Sequence, residues 1–353
     1  MATRTIGTSG ADHVDINAWV AYVVANNVTS GNLTENVAGA VKAVGVTSTA
    51  TQTISGWAAA GFTTTLTANA GDSFKDNASV QTNALFYSTA NGAFYALTSA
   101  AASIDVQVNL FRCTYLQIKN TVNYGGALYL NTATIDDSII DGNILHATLE
   151  ENGVLMFTSS STNTIIRNNL IVNERGGGGS CCVSLNGGFT SSGTKALVHD
   201  NTFWGSNSGP TGPFAVGSYG YAEFKGNAFV FGAGCSINGR DAQCTGSNNA
   251  TYDSAWDGTS FGAGTLTGLT SSQFSITVAN EVVDGDATPT DFRLKSGGTA
   301  LQNTGLTISG VTTDIAGTTR PSGATEDIGC WEFVTAGAAT PIFVPTLLLM
   351  GVG

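Results

Sequence analysis

The chain has 353 residues, 42% hydrophobic and only 11% charged, and its 25 acidic against 13 basic side chains leave a net charge of −12. A soluble domain ordinarily carries about 25% charged residues, and nucleic-acid or anionic-membrane surfaces are bound by clustered lysine and arginine, so this balance argues against both partners. The 45 glycines and abundant Thr, Ser and Asn disfavour a helix bundle, while the supply of Val, Ile, Leu and Phe is too large for a disordered chain.

In chain order, Met1–Gly7 contains no apolar run of the secretory kind, so the expectation is synthesis in a cytoplasm without a signal peptide. Ile16, Trp19, Val20, Val23 and Val24 then recur at helical spacing behind Asp15, which predicts an N-capped amphipathic helix. No later segment keeps that period. Short apolar runs separated by Gly, Asn, Ser and Thr follow instead, the pattern of many short strands.

Four of these runs share a motif. Ile139–Leu145, Ile165–Ile171, Leu197–Phe203 and Glu223–Phe229 each place β-forming residues ahead of a polar pair, then an asparagine, then mostly apolar residues. The asparagines, Asn143, Asn169, Asn201 and Asn227, are 26, 32 and 26 residues apart. Leu110–Leu116 reads as a looser copy with Thr114 at the asparagine position. A repeat of this length built of strands predicts an all-β fold, a right-handed parallel β-helix whose coils stack at about 4.8 Å. The asparagines are expected to form a turn ladder, with a left-handed backbone or stacked amides at each corner. The predicted organisation is an N-terminal cap with first strands over 1–60, coils over 61–250, last coils and a closing segment over 251–333, and an apolar tail over 334–353, with the helix closing the first raw edge.

The same alignment puts Asp141, Arg167, His199 and Lys225 in one row. Asp141, Arg167 and His199 are the weak candidates for polysaccharide chemistry, which needs carboxylates about 5–9 Å apart or a base with a bound cation. The reading preferred on the residues is an outward, solvated ladder of alternating charge. Asp136, Asp137, Glu150 and Glu151 are further carboxylates nearby, and Trp204, Phe214, Tyr219 and Tyr221 could stack on sugars or simply pack. Asp284, Asp286 and Asp291 form an acidic run without EF-hand spacing, so no cofactor is expected and Ca²⁺ is the alternative. Gly176–Gly179 reads as a flexible turn, since no Lys-Ser/Thr follows it. The six cysteines, at 113, 181, 182, 235, 244 and 330, show no metal spacing and read mostly as small buried residues, with a 235–244 bridge or a 181–182 redox pair as alternatives. The tail carries Ile342, Phe343, Val344, Leu347, Leu348, Leu349 and Met350. Such a run is expected to dock on a neighbouring subunit or another protein, or to fold back as a C-terminal cap.

Asp291-Phe292-Arg293-Leu294, Asp314–Arg320 and Asp327–Phe333 together resemble the closing segment of right-handed parallel β-helix proteins of the pectate-lyase-like superfamily. Here Cys330 and Trp331 replace the usual small and aromatic pair. Arg4–Gly10, the Trp19 helix, Gly71–Phe74 and Asn83–Leu85 resemble β-helix proteins that tailed bacteriophages encode, many of them virion proteins. The resemblance implies a non-catalytic structural protein on the virion surface, a head decoration or spike or a tail spike or fibre. It implies a homotrimer, with other virion proteins and host surface glycans as partners. A phage polysaccharide depolymerase on the same fold is the first alternative, and a secreted glycan-binding adhesin the second.

Overall fold

The computed structural model describes residues 2–99, 104–121, 126–131, 134–148, 153–157, 160–174, 182–185, 194–205, 214–216, 221–231, 244–251, 291–295 and 301–334. Among them the short apolar runs form three long parallel sheets, beside a two-stranded parallel pair, Thr134–Asp136 with Ser160–Thr162, and a two-stranded antiparallel pair, Val28–Thr29 with Asn32–Leu33. The first sheet has nine strands: Ala2–Ile6, Val37–Val41, Thr64–Ala68, Phe111–Thr114, Ile139–Asp141, Ile165–Arg167, Ala196–His199, Ala222–Lys225 and Cys244–Ser247. The second has eight, from Val46–Ser48 through Phe94–Leu97, Gln117–Asn120, Ile144–Ala147, Leu170–Asn173, Thr202–Gly205 and Ala228–Phe231 to Ala250–Thr251. The third has six, from Gln52–Ile54 to Phe214–Val216. The chain visits the first, second and third sheets in turn and then returns to the first. Each strand pairs in parallel with its counterpart from the next visit. This all-β arrangement is consistent with a parallel β-helix.

Strand alternation decides what goes inside. In the first sheet Cys113, Ile140, Ile166, Val198 and Phe224 share one register position and are all fully buried. In the second, Ile118, Leu145, Ile171, Phe203 and Phe229 do the same. The Phe203 and Phe229 rings stack with centroids 4.9 Å apart and planes 9° from parallel, as identical side chains on adjacent strands must.

The first corner is where the sequence repeat acts. Asn143, Asn169, Asn201, Asn227 and Asn249 are fully buried. Each Oδ1 accepts both the backbone N–H and the Nδ2–H of the asparagine one coil earlier, at 2.9–3.0 Å between Asn143 and Asn169 and 3.0 Å between Asn201 and Asn227. Each Nδ2 also donates to a first-sheet carbonyl, as Asn201 does to Ile166 at 2.8 Å. The ladder ends where Leu116 N–H donates to Asn143 Oδ1 at 3.0 Å.

Three readings of the corner are corrected. The left-handed residue is the one before each ladder asparagine: Gly142, Asn168, Asp200, Gly226 and Asn248 have φ between 50° and 70°. That residue turns the chain, which leaves the next amide facing inward. In the looser copy the ladder position is Leu116, because Thr114 pairs with Asp141 and Tyr115 takes the left-handed turn. The ladder also runs one coil further, to Asn249, 22 residues after Asn227.

The predicted helix spans Ile16–Asn27, with the Asp15 carboxylate accepting the Ala18 N–H at 2.8 Å. Ile16, Trp19 and Val23 are buried and Val20 is half-buried, but Val24 is 42% exposed, so the buried stripe is narrower than its spacing suggested. Trp19 lies on Gly39 of the first sheet, where a Cβ would come within 3.0 Å of the indole and 2.7 Å of Ile6. The strand is therefore smooth at the one point the indole needs.

A second apolar core lies outside the second sheet. Ile144, Leu170, Val172 and Trp204 face outward there and meet Leu85, Phe292, Ile315 and Trp331. Residues 301–334 run along this flank rather than adding a strand to it. Thr304 O accepts from Asn248 Nδ2, Cys330 N–H donates to Thr202 Oγ1, and Thr313 O accepts from Asn168 Nδ2, so the segment touches several coils at their corners.

Replacing Asn201 by leucine strands the Asn169 N–H and several carbonyls in a dry interior. Unmet buried groups cost about 1–3 kcal/mol each, so thermal or denaturant unfolding is expected to show a loss of roughly 3 kcal/mol or more. Asn26→Ala on the exposed helix surface should change stability by less than about 0.5 kcal/mol.

Candidate functional site

The outward row of the first sheet forms as aligned: Thr114, Asp141, Arg167, His199 and Lys225 are in register on successive strands. It is not a solvated ladder, which corrects the preferred reading. Asp141 and His199 are each only 7% exposed, and residues 310–313 meet the row at Arg167 and its chain neighbour Asn168. Arg167 spans both layers, donating from Nε to Asp141 Oδ2 and from Nη1 to the Gly310 carbonyl, both at 2.9 Å. Asp141 Oδ1 accepts from Asn168 Nδ2 at 3.4 Å. Both Asp141 oxygens are thus engaged within the protein.

Further along, Glu223 gathers cations. Lys195 and Lys225 both donate to it, Lys225 at 2.7 Å, and His199 Nε2 lies 3.4 Å away. Burial works against the Glu223 charge, but donation from the two lysines prevails and holds its carboxyl down at about 2. Burial pushes the His199 imidazole down to about 4, against the pull of Glu223.

The other candidates fall in different places. Asp291 is closed by Arg293, whose Nε reaches both carboxylate oxygens at 3.0 Å, and by the Leu85 N–H at 3.2 Å. Asp284 and Asp286 lie outside the described residues, and no group of His, Cys, Asp and Glu able to hold a metal occurs among the described ones. Asp137 is an exposed left-handed turn residue accepting from Asn163 Nδ2 at 3.2 Å. Trp204 is fully buried and packs edge-on to Phe292 at 6.3 Å, so it is not a sugar platform. Tyr221 is half-buried against the core. Cys113, Cys182, Cys244 and Cys330 are buried. Glu150, Glu151, Gly176–Gly179, Cys181, Tyr219, Cys235 and the docking residues Ile342, Phe343, Val344, Leu347, Leu348, Leu349 and Met350 lie outside the described residues. No helix of the described residues is long and apolar enough to cross a membrane.

Two features were not read from the sequence. The first is an open cavity of about 280 Å³ lined by Ala68–Gly71, Ser73, Lys75, Asp76 and Tyr115. The Lys75 ammonium sits 3.3 Å from the Tyr115 ring centroid, while Gly142, one coil on, lies so close that a Cβ there would meet the ring at 2.6 Å.

The second is a buried charge cluster around Arg320, whose side chain is fully enclosed with those of Asp200 and Glu332. Its Nη2 donates to the Gly329 carbonyl at 2.5 Å and its Nη1 to the Asp327 carbonyl at 3.2 Å. Asp200 Oδ1 is 3.7 Å from Nη1 and Glu332 Oε2 is 3.8 Å from Nε. Asp314 accepts the N–H groups of Ala316, Thr318 and Glu332, and Asp327 those of Asn303 and Phe333. Burial nonetheless pushes both carboxyls up to about 6. These acids belong to the motif that carries the β-helix resemblance, but nothing in their spacing announces that they converge on one guanidinium with Asp200 of a distant corner.

No protein-family model matches this chain, and no curated protein matches it.

The row also sets an acid limit. His199 is held below its ordinary 6.5, so its contribution is full above that value and is lost as pH falls through about 4. Glu223 adds to the loss in more acid solution, as pH falls through about 2. Melting temperature measured from neutral pH downward should drop over the His199 range, and His199→Asn should remove that part of the drop.

Proposed function

We propose that the chain is a right-handed parallel β-helix acting as a non-catalytic structural protein on the surface of a tailed-phage virion. In this reading it is a homotrimer, and its partners are its own copies, other virion proteins and host surface glycans. The helix over Ile16–Asn27 caps the first coil, packed on Gly39 beside the edge strand Ala2–Ile6. Its place on the particle is a head-surface decoration or spike, with a tail spike or fibre as the other location. The apolar stretch 341–353 supplies the docking peptide.

One observation carries the structural reading. The polar row that would host polysaccharide chemistry is internally paired and covered at Asp141 and His199, with Arg167 tying Asp141 to the Gly310 carbonyl. A buried asparagine ladder behind it and a second core beside it suit a structural body. The second reading, a glycan depolymerase, draws on the open cavity beside Tyr115, where Lys75 and Asp76 offer a cation and a carboxyl at one rim.

Cryo-electron microscopy of particles from cells expressing the chain in its natural context tests the first reading. Threefold copies on the particle surface are expected, lost when 341–353 is deleted. Absence from every particle, or unchanged incorporation of the truncated chain, overturns the virion role or the docking role respectively. Release of reducing or unsaturated sugar ends from host polysaccharide, abolished by Lys75→Met, would install the depolymerase in its place.

A further inference from the structure

The closing segment 301–334 meets the stack through an unusual set of charges. One guanidinium, Arg320, faces the carboxyls of Asp200, Asp314, Glu326, Asp327 and Glu332, all almost completely buried. Three of the five are well supplied with donors, since Asp314, Asp327 and Glu332 each accept at least two backbone N–H groups. Asp200 and Glu326 are built differently, with neither oxygen of either carboxyl in a well-formed hydrogen bond. The Ile308 backbone still favours the Glu326 charge a little, and Asp200 has no such help.

Asp200 is also the more enclosed of these two. Its Oδ1 lies 2.1 Å from where a Cβ on Gly226 would stand, and the Ile308 methyl is 3.7 Å from the same point. The carboxyl therefore rests against a bare glycine, with an aliphatic side chain near the same point. Arg320 donates from Nη1 and Nη2 to carbonyls and its Nε has no hydrogen-bond partner, while the nearest guanidinium nitrogen to Asp200 Oδ1 is 3.7 Å away, beyond hydrogen-bond reach. Other charges around Asp200 are Glu326 and Glu332 in the segment and Arg167 on the preceding coil, with His199 its chain neighbour. An ionised carboxylate without donors in such a place is strongly disfavoured, and taking up a proton removes the cost.

We propose that Asp200 keeps its proton at neutral pH and acts as a proton-operated latch, releasing the closing segment from the stack when it ionises. The latch sits at the segment's direct contacts with the coils: Gly329 N–H donates to the Gly226 carbonyl at 2.7 Å and Cys330 N–H to Thr202 Oγ1 at 3.1 Å. Charge appearing on Asp200 faces Glu326 and Glu332 across that seam as well as Arg320, and the attraction of Arg320 is smaller than the cost of burial. Burial also raises Asp200 well above the ordinary carboxyl range. A raised carboxyl stabilises the folded state in acid and loses that effect as pH rises through the folded value. Asp314 and Asp327, at about 6, act with the same sign, and His199 opposes them below neutrality.

Hydrogen exchange of the full-length protein, corrected for intrinsic rates, reads the latch directly. Between about pH 6 and about pH 9, protection of amides in 301–334 should fall at least about tenfold, or about 1.4 kcal/mol of opening free energy. Amides of the Asn143–Asn227 corners should keep theirs. Asp200→Asn, which cannot ionise, should remove most of the change, whereas Glu326→Gln should leave a fall. Protection that does not change with pH in the wild-type protein overturns the proposal, as does an Asp200→Asn variant with the same fall. If Asp200→Asn does not fold, infrared spectra of the wild-type protein decide: no protonated-carboxyl band at neutral pH refutes the latch.

Discussion

A stack of parallel strands lives or dies by the satisfaction of its corners. Along the sheets every backbone group is met by the next coil, but at a bend the ladder of backbone hydrogen bonds breaks and its amides face a dry interior. The buried asparagines solve this at the first corner. A side-chain amide has both a donor and an acceptor end, so one residue type can bond the coil before and the coil after while filling its own bend. Register follows, because sliding one coil by a residue would misplace the amide and turn the apolar row outward. The left-handed residue just ahead of each asparagine is the geometric condition for this, and Gly, Asn and Asp are the residues that take it with least strain.

The low charge of the chain makes sense against this background. A body with an inner core and a second core on its flank has much interior per residue, and several of its ionisable groups are used inside. Arg167 holds the closing segment to the coils through the Gly310 carbonyl and Asp141, and Arg320 gathers the segment's own carbonyls and carboxyls into a nearly closed cluster. Buried ion pairs of this kind add little net stability over apolar packing. Their effect is to fix where the segment lies, since an aliphatic flank alone would let it slide.

Much of this was legible in the sequence, and the reasons are local. The Ile16–Trp19–Val23 spacing and the Asp15 cap are short-range signals, and the helix formed where they placed it. The asparagine repeat gave the coil register correctly for four consecutive strands, down to the shared position of Asp141, Arg167, His199 and Lys225. The exposure of that row was misjudged because alternation states which face a side chain takes, not whether something else later covers the face. What covers it lies far downstream in the chain, within 301–334. The same separation hid the Arg320 cluster: Asp200 and Arg320 are 120 positions apart, and each alone looks like an ordinary polar residue. Asn249 was missed for another reason, since Gly246 and Ser247 stand before it where the other repeats have stronger strand formers.

The ladder has a direction. Every amide oxygen receives from the coil behind and every amide nitrogen gives to a carbonyl of that same coil, so all the rungs point one way. A rung therefore carries no information about its number in the series, only about its neighbours. Duplicating one coil would insert a further rung that fits both sides without adjustment, while the variable loops absorb whatever length the copy brings; rung spacings of 22, 26 and 32 residues already coexist. A body lengthened or shortened by whole coils would accordingly keep its rungs matched, like a ruler cut at its marks. The closing segment resists this freedom, because its contacts reach specific corners, and a change in coil number would oblige it to be refitted.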